Sequence, residues 1–519
     1  MIDSSLLPLA APIALLLGGM LAPLVSKDGK GMLSILSVFF IAAIGANTYM
    51  LLTVADGAIY WPAQAGIVIN ASSAFVVELA LILGFLGAVY SLQYFGDRTH
   101  LGAFYALYSM FVASLIVMAS SFNMLVIYTC FEASTIAGGI LILFTRRRSA
   151  TKAAVRFFVM SVIGALIILV GILFQNSATG GFILNASAFE AIPKSDVVML
   201  AAIYAIGFSI KVGVFPFGLL WLPSAHSEAP TPVSAILSGV MVQMAAFAVA
   251  RIVGVMAPES APLAYLLIGM GALSVIVGAA LAAVEATAGS KWSRFHVGTV
   301  NIRGIKRIWA FSTSSEVGVF YILIGLGILF PVLLPVFFVG ILLHFLNHGL
   351  AKALLFFDSG FVIEASRVAD LYLLKGMGSK LGPNGITYLV GGFSLALIPG
   401  TLGYTTFREF TSPNVNLYLT AAVFAAAALI FFSTIYSLRC FASGKPKANV
   451  EYLEMHKGSH ALLRLPGVVI AICILVLGTI ITLGANNIAF HDIFLRIEEW
   501  LEMAATTIFN QTAALGGGH

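Results

Sequence analysis

The chain has 519 residues, of which 60% are hydrophobic and only 9% charged, and its formal net charge is +5. A soluble protein carries about 25% charged residues, so the composition excludes a soluble enzyme and identifies an integral membrane protein. The basic excess is read as membrane topology rather than as a nucleic-acid surface. The three cysteines, Cys130, Cys440 and Cys473, are too far apart for a disulfide framework or an iron–sulfur spacing.

Runs of about 20 apolar residues mark spanning helices. Fourteen are expected, near 5–25, 32–53, 73–95, 103–120, 122–144, 152–174, 197–222, 232–251, 263–284, 308–329, 332–357, 384–410, 416–438 and 465–487. The first is long enough to span and lacks a basic start, so a spanning helix rather than a cleaved signal is expected. A last segment, His491 to Phe509, is amphipathic and charged and is expected at the interface. The blocks implied are 1–100 (helices 1–3), 101–253 (helices 4–8), 254–440 (helices 9–13) and 441–519 (helix 14 and the interfacial helix).

Basic residues support this count. Of 27 lysines and arginines, 21 fall in segments that leave odd-numbered helices, from Lys27 and Lys30 to Lys457 and Arg464. Lys194, Arg251, Arg408 and Arg496 fall on the opposite side, leaving only Lys211 and Lys352 within spans. By the positive-inside rule the basic loops face the cytoplasm and both termini face outward, in a cell or inner membrane.

A weak repeat relates helices 4–8 to helices 9–13. Each block has an acid in its second helix (Glu132, Glu316) and a Pro/Gly interruption in its fourth (Pro216, Pro399-Gly400). Five helices per block make the second inverted relative to the first. The fold class expected is all-α, with about 14 transmembrane helices, two inverted five-helix repeats and broken helices 7 and 12. Paired broken helices in inverted repeats point to a translocation site near the midplane.

The helix-7 break is the centre of the pattern. Proline removes a helix hydrogen bond, and lipid offers no water to the freed carbonyl, so such backbone survives inside protein or beside a watery cavity. Lys211 lies close by and costs several kcal/mol unless paired or hydrated. Glu132 is its expected partner. At about 6 Å and an effective dielectric near 20, the attraction is roughly 2–3 kcal/mol. The pair is either a proton-transfer unit or a static tie between helices.

In helix 11, His344, His348 and Lys352 recur every four residues on one face. Such a stripe either relays protons through held water or is satisfied by backbone carbonyls. Two histidines on one helix face cannot ligate both sides of a haem, and zinc would need a third convergent ligand that the sequence does not identify. Glu316 either feeds protons from the cytoplasmic side or neutralises Lys306 and Arg307. Glu78, a further intramembrane acid, would face a lateral subunit. His226 and Glu228 are placed on the cytoplasmic turn after helix 7, with His226 a weak candidate for proton entry. No phosphate loop, dinucleotide fingerprint, nucleophile elbow or cysteine cluster occurs, so no cofactor or metal of the chain's own is expected.

Several stretches resemble the antiporter-like subunits of the complex I superfamily, which spans NADH dehydrogenases, energy-converting hydrogenases and multisubunit cation/proton antiporters. They are Lys211 with Phe215-Pro216, the run from Trp221 through His226 to Ala235, Ser238–Met241, Ile305–Ser312 and Leu343–Phe357. The resemblance implies a glutamate–lysine pair matching Glu132 and Lys211, and a helix-11 relay matching His344, His348 and Lys352. It also implies a bridging lysine or histidine in helix 8 and a gating lysine or glutamate in helix 12. Here those positions read Gln243 and Phe407, the latter followed by Arg408 and Glu409. Either the proton wire ends on Arg408 and Glu409, or this copy conducts poorly. The segment Thr287 to Gly304 is longer than usual in such proteins and would touch a peripheral subunit.

The leading expectation is a subunit that moves protons, or sodium, within a redox-driven complex, NADH dehydrogenase-like or hydrogenase-like. Its partners would be other membrane subunits and peripheral redox subunits on the cytoplasmic side. One alternative is a subunit of a cation/proton antiporter or ion-uptake complex without redox chemistry. The other is a non-conducting scaffold, for which Phe407 would form an apolar plug.

Overall fold

The computed structural model describes residues 7–53, 59–61, 66–96, 100–287, 304–366, 368–371, 374, 376, 381–411, 415–442, 461–486 and 490–514. In chain order the first helices are α1 (Leu7–Val25), α2 (Gly29–Thr53), α3 (Ala71–Phe95), α4 (Leu101–Ser120), α5 (Met124–Leu143), α6 (Arg148–Thr179) and α7 (Ala186–Glu190). Next come α8 (Lys194–Val212), α9 (Gly218–Glu228), α10 (Thr231–Ile236), a π turn (Leu237–Met241) and α11 (Val242–Met256). The rest are α12 (Ala261–Thr287), α13 (Ile305–Leu329), α14 (Leu334–Ser366), α15 (Pro383–Leu395), α16 (Gly403–Thr411), α17 (Leu417–Ala442), α18 (Ala461–Ala485) and α19 (His491–Ala514). Strands β1 (Ile59–Trp61) and β2 (Ile67–Ile69) pair antiparallel between α2 and α3, a small exception to the all-α expectation.

Among the described residues, 13 helical stretches are long and apolar enough to cross a membrane. Predicted helix 7 is divided into α8 and α9, and predicted helix 12 into α15 and α16. The chain is therefore a multi-pass helical membrane protein. Most of the segment from Thr287 to Gly304, residues 288–303, lies outside the described residues, as do Lys291, Arg294, Arg303, Lys445, Lys447 and Lys457.

Burial sorts the helices by chemistry. Every residue from Thr231 to Met256 is buried, and α13 is buried almost throughout. Outer helices instead expose apolar side chains, such as Val38, Leu52, Leu173 and Ile472. Lipid cannot hydrogen-bond, so polar side chains collect on helices enclosed by other helices.

Small residues bring the enclosed α13 against its outer neighbour α12. A Cβ on Gly271 of α12 would lie 2.6 Å from the Gly318 carbonyl of α13, and one on Gly325 would lie 2.8 Å from the Ala264 carbonyl. This seam lets backbones touch where larger residues would hold them apart. Gly318→Leu should therefore overpack it. A loss of about 1–3 kcal/mol or more is expected, read as a lower unfolding temperature in detergent.

Arg251 corrects the sequence reading. Expected at the outer end of its helix, it is instead fully buried in α11 and donates to the carbonyls of Ala119 and Met118 at the end of α4, the latter at 3.0 Å. Its guanidinium stacks on Phe122 and Phe247 at 4.8 and 5.3 Å. The free carbonyls and negative dipole end of α4 explain this choice of partner. Arg408 lies in α16, within the span expected at 384–410.

The two breaks are satisfied by protein. After α8, Gly213 takes a left-handed conformation (φ 79°), which glycine adopts without strain. Ser314 of α13 donates to the Gly213 carbonyl at 2.7 Å, and the Phe215 N–H donates to Ser274 of α12 at 3.0 Å. At the other break Gly400 (φ 84°) donates to Thr482 of α18 at 2.9 Å, and Ser394 donates to Asn347 of α14 at 2.6 Å. α19 packs against α3, α14 and α18, burying Phe494, Leu501, Ala504 and Ala505.

Candidate functional site: a buried row of charged and titratable groups

Lys211, in the last turn of α8, is fully buried and points at one turn of α5. Its ammonium donates to the Phe131 carbonyl, Ser134 Oγ and Thr135 Oγ1, each at 2.7 Å, and lies 3.8 Å from the Phe131 ring centroid. Both hydroxyls donate back to the Phe131 carbonyl at 2.7 and 3.0 Å, so their lone pairs remain for the ammonium. Three acceptors match three N–H groups.

Lys352 of α14 sits in a second cradle built on the same residue spacing, with two acceptors instead of three; Thr313 there meets Ser238. Lys352 donates to the Trp309 carbonyl at 3.2 Å and to Ser312 Oγ, while Thr313 Oγ1 donates to the Trp309 carbonyl at 2.8 Å. Each cradle is an aromatic residue followed by serine at +3 and threonine at +4: Phe131, Ser134, Thr135 and Trp309, Ser312, Thr313. The sequence reading named neither Ser134 and Thr135 nor their counterparts as a cradle, although the repeated spacing was there to find.

Glu132 follows the first cradle residue, yet it makes no ion pair. Among the described residues no carboxylate is paired with Lys211 or Lys352. Glu132 is half-buried, and its Oε1 is enclosed without a hydrogen-bond partner. The static-tie alternative therefore describes the bonds of Lys211 to carbonyl and hydroxyls, not a bond to Glu132.

From Lys352, His348 and His344 lead along α14 to Thr406 of α16, and His226 packs on Phe356 on the other side of Lys352. His226 does not sit on a hydrated turn. It is fully buried between Trp221 and Phe356, at ring-centroid distances of 6.5 and 5.3 Å, and neither ring nitrogen has a partner. Phe356 is one turn beyond Lys352 on α14. His348 Nε2 lies 3.1 Å from the Ser238 carbonyl in the π turn, where the helix ladder is widened. His344 Nδ1 lies 3.0 Å from Thr406 Oγ1, and its Nε2 lies 3.0 Å from the Glu316 carbonyl and 3.7 Å from Glu316 Oε2.

Glu316 thus faces His344. It does not neutralise Lys306 and Arg307: Lys306 donates to the Ala229 carbonyl at 2.9 Å, and Arg307 approaches Glu285 at 3.6 Å. The structure also supplies the third ligand-type group missing from the sequence reading. Ligand atoms of Glu316, His344 and His348 lie within 4.8 Å of one another, all three residues buried.

Gln243 donates to the Gly239 carbonyl and leaves its Oε1 buried without a partner. Phe407 stacks on Tyr404 and Phe424 at 5.4 and 5.3 Å, and the residue of that turn that reaches His344 is Thr406. Arg408 pairs with Glu498 of α19 at 3.3 Å, whereas Glu409 packs against Gly340, one turn before His344. Phe407→Ala should therefore leave ion transport within about twofold, while Glu409→Gln should lower it by roughly tenfold or more, about 1.4 kcal/mol, measured on one vesicle preparation.

Two acids stand apart. Glu78 of α3 accepts from Asn47 at 2.7 Å and Thr48 at 2.8 Å, both on α2, and so ties two helices. Asp358 of α14, which the sequence reading passed over, is fully buried and accepts from Asn384 and Thr387 at 2.7 Å each. Its setting in Leu355-Phe-Phe-Asp358 was the available signal.

The family model described as NADH:quinone oxidoreductase/Mrp antiporter, TM, matches residues 121–288. NADH-quinone oxidoreductase subunit N of Desulforudis audaxviator is 28% identical over 82% of this chain and 83% of its own length. Hydrogenase-4 component B of Escherichia coli is 27% identical over 64% of this chain, but the match covers 48% of its length, so the chain spans about half of that relative. In fold, the chain matches one from the Mrp complex of Dietzia sp. DQ12-45-1b with a TM-score of 0.80 at 18% identity, covering 99% of each. Residues 121–288 match the membrane domain shared by NADH:quinone oxidoreductases and Mrp antiporters, and the chain is similar to antiporter-like subunits of both and of membrane hydrogenases.

Proposed function

We propose that this chain carries protons, with sodium as the alternative ion, across the membrane as one subunit of a redox-driven multisubunit complex. The observation that carries the reading is the pair of fully buried lysines in matching cradles. An ammonium held by carbonyl and hydroxyl oxygens can pass a proton on and later regain one, and its acceptors stay satisfied by neighbouring donors. Lys211 receives and releases at the first break. His226, His348 and Lys352 continue the path, with water at the free Gln243 Oε1. His344, Glu316 and Glu409 then lead out beside the second break. Glu132 stands next to the Lys211 cradle and stabilises the charged state there, its charge modulated from outside the chain.

The architecture proposed with it is fourteen crossings, counting 383–411 as one interrupted span, in two inverted five-helix repeats. The repeated aromatic–serine–threonine turn in α5 and α13, the second helix of each block, supports this reading. Basic loops would face the cytoplasm, where peripheral subunits would hold the electron carriers, and both termini would face outward.

The likeness to a chain of an Mrp complex supports a second reading, an antiporter subunit without redox chemistry. Purifying the native complex and identifying its soluble subunits separates the two. Iron–sulfur or nickel–iron subunits, with ion uptake driven by an electron donor, uphold the first; small membrane subunits alone, with exchange driven by a sodium gradient, replace it with the second. The position of Phe407 outside the row argues against the scaffold alternative.

A further inference from the structure

We propose that Glu316, His344 and His348 form a binding site for a divalent transition cation, with zinc as the representative ion. This goes beyond the transport reading, and binding at the site would close the proposed relay because three of its groups would be held by the metal.

Three observations carry it. The first is the ligand set: two imidazoles and one carboxylate, on two helices, with ligand atoms within 4.8 Å of one another. In a tetrahedral zinc site, bonds of about 2.1 Å set neighbouring ligand atoms about 3.4 Å apart, so each group need move only about 1 Å or less. The second is His348. Its Nε2 lies 3.1 Å from the Ser238 carbonyl, which accepts that N–H and fixes the lone pair on Nδ1. Nδ1 is buried and without a hydrogen-bond partner. A backbone carbonyl that orients a histidine in this way is the usual outer support of a metal-binding imidazole.

The third is His344, whose Nδ1 faces Thr406 Oγ1 at 3.0 Å while Nε2 faces Glu316. In the structure Nε2–H donates to the Glu316 carbonyl at 3.0 Å and Nδ1 accepts from Thr406; when a cation takes the Nε2 lone pair, the ring's one proton moves to Nδ1 and is donated to Thr406. Glu316 and Thr406 also line a small cleft with Ser315, Leu397 and Ala426, beside the histidines rather than between them. Two nitrogens and one oxygen select zinc, cobalt or nickel over sodium, calcium or magnesium, which prefer oxygen.

The test uses the full-length protein in its native complex, titrated with cobalt(II) and then with zinc as competitor. The wild type should bind one cobalt per chain with a tetrahedral visible spectrum, and zinc should displace it. His348→Gln and Glu316→Ala should weaken binding by more than the about 10–100-fold typical of outer supports. Thr406→Val, close in shape to the wild type, should weaken it within that range. Glu132→Gln should leave it unchanged. Absence of a stoichiometric cobalt site in the wild type overturns the proposal, as does binding that survives both ligand substitutions. The spectrum needs no transport, so failure of the transport reading would leave this result standing, and the converse.

Discussion

Replacing Lys211 with alanine should abolish ion transport while the complex still assembles. Transport in proteoliposomes is expected to fall at least about 100-fold, equivalent to more than about 2.7 kcal/mol in the barrier. Assembly survives because the cradle is self-sufficient. Ser134 and Thr135 both donate to the Phe131 carbonyl without the lysine, so no buried donor is left unmatched. Losing three buried methylenes costs about 2.4 kcal/mol, and removing a charge from the membrane interior relieves a similar amount. Undiminished transport in an assembled Lys211→Ala complex would remove the lysine from the path.

Lys352→Arg separates charge from proton transfer. A guanidinium keeps the positive charge and can still donate to the Trp309 carbonyl and Ser312, but it does not give up its proton in a protein. If Lys352 only fills a cationic position, arginine should preserve transport. The account requires the reverse: transport in Lys352→Arg should fall as far as in Lys352→Ala, by about 100-fold or more. The reading is ion uptake at matched protein density, with blue-native electrophoresis confirming assembly.

Much of this fold was legible because lipid imposes few solutions. Apolar length placed the spans, and proline and glycine placed both breaks. Lys211, His344, His348 and Lys352 stood out because charge in an apolar run needs a reason. What escaped the sequence was direction and partner. Phe407 and Thr406 are adjacent, and only coordinates show that threonine faces His344 while phenylalanine joins an aromatic stack.

Arg251 was assigned to water because arginine near a helix end ordinarily reaches it, but carbonyls at the end of α4 offered a buried alternative. His226 looked like a turn residue because Pro223, Pro230 and Pro232 surround it, yet α9 continues through it as helix. Glu316 as a neighbour of two histidines depends on the approach of α13 to α14, which no single-chain pattern encodes. The paired cradles were written plainly at +3 and +4, but serine and threonine are too common in membrane helices to attract notice alone.

A map of the intact complex that resolves ordered water tests the central claim most directly. The account predicts waters linking Lys211 to Lys352 past His226 and the free Gln243 oxygen, and continuing from His344 and Glu316 to Glu409. A dry, closely packed apolar gap between Lys211 and Lys352, with no water in any state of the complex, would contradict it.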